Sequence, residues 1–140
     1  MDEVALEAVE TAFVTAVGEI AGVAGAYDHL PEKLDRRPAV TLLCTRFAPE
    51  NVETGPQEDV TYEWRVDVHV DLGAGVDYRT AQLELRRLCS AVLTVTRRDS
   101  TLGHTCVRAR MSDDGAEPEF DSDVGLLTKA LRLSALLEET

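Results

Sequence analysis

The sequence predicts an α+β domain, an antiparallel β-sheet with one long hairpin packed by two helices in the order α-β-β-α-β-β. Apolar and polar residues alternate strictly over residues 61–72, a second alternating segment begins near residue 105, and two other segments carry apolar residues at helical spacing. Elements in this order pack as helices laid on an antiparallel sheet. At 140 residues the chain fits a single domain, 1–140, which buries roughly two thirds of its unfolded surface without needing disulfides or metal.

Residues 2–20 place Ala5, Val9, Ala12, Phe13, Ala16, Val17 and Ile20 at helical spacing, with Glu3, Glu7 and Glu10 on another face. Asp2 can cap this helix, and acids near its start complement the helix dipole. Gly18, Gly22 and Gly25 then loosen and end it. Residues 38–47, bounded by Pro38 and Pro49, read as a strand. A polar stretch follows over 48–60, carrying Glu50, Glu53, Glu58 and Asp59 around Gly55-Pro56. It is long for a hairpin loop, which marks it either as an arm that reaches a partner or as a disordered segment.

Over 61–72, Tyr62, Trp64, Val66, Val68, Val70 and Leu72 alternate with Thr61, Glu63, Arg65, Asp67, His69 and Asp71. That pattern is a strand with one buried and one wet face, and an extended hairpin with 38–47 accounts for its length. Asp77 is the expected N-cap of a second helix over 78–95, with Tyr78, Ala81, Leu85, Leu88, Val92 and Val95 on its core face. Arg79, Arg86 and Arg97 fall along a stripe away from that face, and Leu83 and Leu93 also project off it. Solvated charges with two exposed leucines and a subunit contact are equally consistent with this arrangement. Residues 105–111 alternate as a strand, followed by a loop with Asp113, Asp114, Glu117, Glu119, Asp121 and Asp123. Over 126–137 the apolar spacing fits either a helix or a strand.

The 26 acidic and 14 basic residues give a net charge of -12, which repels nucleic acid and anionic membranes. No apolar run is long enough to span a bilayer, and Met1-Asp2-Glu3 lacks a basic n-region, so neither a membrane span nor a signal peptide is expected and synthesis falls to a cytoplasm. Cys44, Cys89 and Cys106 are odd in number and set in apolar stretches, as reduced core thiols are.

No catalytic or metal site is assembled by the motifs of the sequence. With Glu119, Asp121 and Asp123 as the first three ligands of a calcium loop, Val124 stands where glycine is required and Ala130 where glutamate is required. His104 and Cys106 would point to one side of an extended strand but lack two further zinc ligands, and no local signature makes them a nucleophile and base. Neither a phosphate-binding glycine loop nor a nucleophile elbow occurs. The reading is of a protein without catalytic, metal-binding or cofactor-binding residues.

Tyr27-Asp28-His29-Leu30-Pro31 leading into Pro38-Ala39-Val40-Thr41, the long Tyr62–Leu72 strand, the helix from Asp77, and Asp99-Ser100-Thr101-Leu102-Gly103 before Cys106–Met111 together resemble the tail terminator (minor tail) proteins of long-tailed bacteriophages, especially those of actinobacterial hosts. The resemblance covers nearly the whole chain and lies in the order of elements more than in any one motif. It implies a structural virion protein, made in the host cytoplasm, that forms a hexameric ring at the head-proximal end of the tail tube. Such a ring stops polymerisation of the major tail tube protein and joins the tail to the head connector, while DNA passes through its lumen without specific binding. The resemblance also implies a strand over 127–136. On this reading the acids of the first helix and of 113–123 either line the lumen or meet the Arg79, Arg86 and Arg97 stripe of a neighbour. Another head–tail joining protein, a stopper or completion protein, is the closest rival; a small α+β enzyme or ligand-binding domain is a rival of a different class.

Overall fold

A computed structural model describes residues 3–46, 58–73 and 75–139. Helix α1 spans Glu3–Gly18, followed by strands β1 (Gly25–Tyr27), β2 (Ala39–Arg46) and β3 (Glu58–Asp71). Helices α2 (Tyr78–Leu93) and α3 (Val95–Arg98) come next, then β4 (Arg108–Asp113), β5 (Glu119–Asp121) and β6 (Leu126–Glu139). The strands form one sheet in the order β1-β2-β3-β6-β4, with β5 also paired to β6. The fold is α+β as the sequence predicts. The sheet is mixed rather than wholly antiparallel, because β1 runs parallel to β2.

Two strands of 14 residues each make the centre. β3 pairs with β6 along its whole length, from Glu58 opposite Glu139 to Asp71 opposite Leu126. The length of β3 therefore comes from β6 more than from the hairpin with β2, whose register runs only from Ala39 opposite His69 to Arg46 opposite Glu63. In this register Tyr62, Trp64, Val66 and Val70 share a face with Ala135, Leu133, Leu131 and Leu127, and all eight are buried. Leu6, Val9, Phe13 and Val17 of α1 and Ala81, Leu85, Leu88 and Val92 of α2 close the core over that face. The other face is open: Arg65, Arg132 and Leu43 are exposed there.

Local chemistry explains the ends of the elements. Asp77 caps α2 with extended backbone, its Oδ1 accepting from the Thr80 amide at 2.8 Å and its Oδ2 from the Thr80 hydroxyl at 3.0 Å. Tyr78, assigned by spacing to the core face, is exposed in the first turn, and Leu93, assigned to the outside, is half-buried against the core. The helix stops at Thr94, whose hydroxyl donates to the Ala91 carbonyl at 2.8 Å, and α3 restarts with Val95 buried. The chain then turns back on itself over 99–107 instead of entering a strand at 105. Asp99 organises this turn by accepting from the Thr101 and Gly103 amides, and Leu102 and His104 adopt positive φ. Gly125 closes the β5–β6 turn at φ +64, where an added Cβ would lie 3.1 Å from the Gly73 Cα.

The free edge of β4 is covered from within: the Ala109 amide donates to the Ser100 carbonyl at 2.6 Å and the Met111 amide to the Thr96 hydroxyl at 3.1 Å. Satisfying these donors removes a template for unwanted strand pairing. Leu133, fully buried on β6, is expected to cost about 2–5 kcal/mol when truncated to Ala. Leu43→Ala on the open face is expected to stay within about 0.5 kcal/mol of the parent. Urea denaturation of both variants checks the assignment of faces, and equal losses would contradict it.

Candidate functional site

On the open face a titratable ring is buried in a polar setting. His69, expected on the wet side of its strand, lies on that side but is only 6% exposed. Its Nε2 is 2.9 Å from the Thr41 hydroxyl on β2, and its Nδ1 is 2.8 Å from the Thr128 hydroxyl on β6. A neutral imidazole donates from one nitrogen and accepts at the other, so both ring atoms are engaged. His69 thereby ties three adjacent strands together across the open face. Burial pushes its pKa down to about 4, and the positive charges of Arg65 and Arg37 add to the effect.

Around this ring the connection between β1 and β2 meets the β5–β6 hairpin. Leu30, Leu34, Phe120 and Leu126 contribute the apolar lining of a groove of about 490 Å³, with His69 and Thr128 among its polar lining. Leu30 is 63% and Phe120 53% exposed. The groove continues past Asp67 and Glu119 into a second hollow that includes Arg65, Asp114 and Glu117. Asp67 is paired with Arg65 at 3.0 Å; burial raises its pKa, opposed by that arginine. Glu117, Glu119 and Asp121 are exposed and make no ion pair among the described residues.

The acids singled out in the sequence thus separate into distinct groups. Asp113 belongs to β4 and Glu119 and Asp121 to β5, so the stretch 113–123 is not one loop. Lys129 shares the helix-facing side of β6 with Leu127 and Leu131 and turns its ammonium to the gap between β4 and β5. There it donates to Asp113 Oδ1 at 2.6 Å and to the Ala116 carbonyl, with Asp114 Oδ1 at 3.8 Å. Lys129 holds the Asp113 carboxyl below its ordinary pKa. These two acids are occupied within the subunit, whereas Asp123 is exposed in the turn. On α1, Glu3 and Glu7 are exposed, but Glu10 is half-buried and accepts from Trp64 Nε1 at 3.0 Å. Its pKa is raised by burial, and the Trp64 hydrogen bond opposes the shift. Glu10 is therefore a tie between α1 and β3 and not part of a free acidic face. Glu58 and Asp59 lie in β3, not in an arm; Glu50 and Glu53 fall outside the described residues.

On the opposite layer, Arg79 and Arg86 are exposed on α2 with Leu83, itself 51% exposed, between them along one helical stripe. Arg97 is exposed on α3, beyond the break at Thr94. None of these three arginines makes an ion pair among the described residues. Arg87, one position further round α2, is instead held by Glu84 at 2.8 Å and by the Ala21 carbonyl.

Two of the thiols, Cys89 and Cys106, sit in settings that favour protonation. Burial pushes Cys89 up to about 11 despite the nearby Lys129, and burial also raises Cys106. Cys106 Sγ lies 3.5 Å from the Thr101 carbonyl, and the exposed His104 sits in the turn and not in a strand. No group of three or more candidate metal ligands occurs among the described residues, and none of the described helices is long and apolar enough to cross a membrane. No protein-family model matches the chain, and no curated protein matches its sequence.

The depressed His69 pKa has a consequence for stability. The unfolded chain takes a proton on this residue near 6.5 and the folded chain only near 4, so between these values the unfolded state binds more protons. The contribution is complete above pH 6.5 and is lost as pH falls to about 4, amounting to on the order of 3 kcal/mol. His69→Gln should flatten the stability profile in that window relative to the parent. Raised carboxyls at Glu10 and Asp67 act in both proteins, so the difference isolates His69. Parallel profiles from pH 7 to 4 would refute the assignment.

Proposed function

We propose that this protein is a structural virion subunit that assembles as a hexameric ring on the head-proximal end of a phage tail tube. There it ends tube polymerisation and joins the tail to the head connector. The observation that carries the reading is that one small subunit presents, on opposite sides of its sheet, a stripe of arginines and a set of carboxylates that make no ion pairs among the described residues. Arginines stand on the exposed side of α2 and α3, and unpaired carboxylates stand at the far side of the sheet on 117–121. Opposite charges face each other when these two surfaces meet, and a head-to-tail contact generates a ring when its rotation closes. The sequence resemblance to tail terminators, which lies in the order of elements, favours the same reading. Glu3 and Glu7, exposed on α1, supply a surface that DNA would slide past without adhering.

Negative-stain imaging of the purified protein mixed with tail tubes of the cognate phage tests this. Caps confined to one end of each tube, with tube lengths no longer increasing, are the expected result. Binding only to isolated connector rings would assign the chain to the stopper or completion proteins, and absence of binding to either would refute the proposal.

A further inference from the structure

We infer that the groove beside His69 is the docking site for the exposed stripe of α2 from a second copy of this chain, with Leu83 as the apolar knob and Arg79 and Arg86 as its charged flanks. The inference rests on the ring reading and adds the two surfaces that meet. Its test scores self-association without the tail tube, so it can fail while that reading stands.

The two surfaces are complementary in apolar character and in charge. A helix docks into an apolar groove through side chains spaced three and four residues apart, and Arg79, Leu83 and Arg86 have that spacing. Leu83 is half-exposed on a helix whose Leu85 and Leu88 are buried and whose Leu93 is half-buried. The groove offers Leu30, Leu34 and Leu126 as apolar lining, and Glu119 and Asp121 among its lining carboxylates. Both sets of charges lack an ion pair among the described residues. Opposite charges left unpaired on separate surfaces steer association and fix register when those surfaces meet.

The groove suits a protein partner better than a small polar ligand. Its central polar groups are committed to one another, since both nitrogens of His69 are held by Thr41 and Thr128. What remains open to a visitor is the apolar lining and the acidic rim, the complement of an apolar residue flanked by arginines.

Placement dictates the symmetry of the assembly. α2 lies on the helix-covered face and the groove on the open face of the same sheet. Two copies cannot fill both surfaces reciprocally, and each contact leaves one α2 stripe and one groove free. The contact is heterologous, so assemblies must exceed two chains and either close as a ring or extend as a filament.

Sedimentation velocity at near-physiological salt tests the inference. The wild-type protein should sediment as a species of more than two chains. Arg79→Glu with Arg86→Glu makes both surfaces acidic, and Glu119→Arg with Asp121→Arg makes both basic; each double variant should associate at least ten-fold more weakly. Mixing the two in equal amounts should restore assembly, because acidic and basic surfaces then alternate. Arg108→Glu with Arg110→Glu, at the distant end of the sheet, should assemble as the wild type does. A monomeric wild type, double variants that assemble unchanged, or a mixture that stays dissociated would each overturn the inference. Circular dichroism checks folding; if a charge variant is unfolded, the exposed single changes Leu83→Glu and Leu30→Glu take its place, and undiminished assembly of these would overturn it equally.

Discussion

The pairing of β3 with β6 is the constraint on which the rest of the structure depends. Each strand is 14 residues long and the two are paired from end to end. A slip of one residue would turn Tyr62, Trp64 and Val66 to the open face and bring Arg65 and Asp67 under the helices. The same register puts His69 opposite Thr128 and so builds the polar bridge across the open face. It also leaves β6 a free side for β4 and β5, between whose pairings Lys129 reaches Asp113. Helices α1 and α2 then need only present one apolar stripe each to a surface already formed.

Legibility in the sequence followed the strength of the local pattern. β3 could be read because its alternation is strict and uninterrupted, and α2 because Asp77 caps it and its core face repeats at helical spacing. β6 could not be read from spacing alone. Leu126, Leu127, Leu136 and Leu137 are adjacent apolar pairs at its two ends, and Lys129 interrupts the buried row. The turn at 99–107 was hidden for another reason: Thr105 to Met111 alternate as a strand would, but backbone amides donating to the Asp99 carboxylate and positive φ at Leu102 and His104 double the chain back.

The candidate surface was legible in its charges and not in its floor. Arg79, Leu83 and Arg86 can be placed on one helical stripe from spacing, and the acids of 113–123 are plain in the composition. Which of those acids are free depends on Lys129, a distant residue that takes Asp113 and Asp114 out of the surface set. Glu10 left the set through Trp64, 54 positions away. His69 carried one signal that could have been weighed, a histidine amid valines at 66, 68 and 70. Its partners Thr41 and Thr128 come from other strands, which only the fold brings together. The sheet ends with two unlike sides, one consumed in making the core and one left with a groove and free carboxylates.

The most direct measurement of whether these sides meet between subunits is disulfide trapping. Leu83→Cys and Leu30→Cys would be placed in separate, differently tagged chains with the native cysteines at 44, 89 and 106 changed to serine. The account predicts a cross-link between the two tagged chains under mild oxidation and little cross-linking within either preparation alone. Chains that remain uncross-linked when mixed at concentrations where the wild-type protein assembles would contradict it.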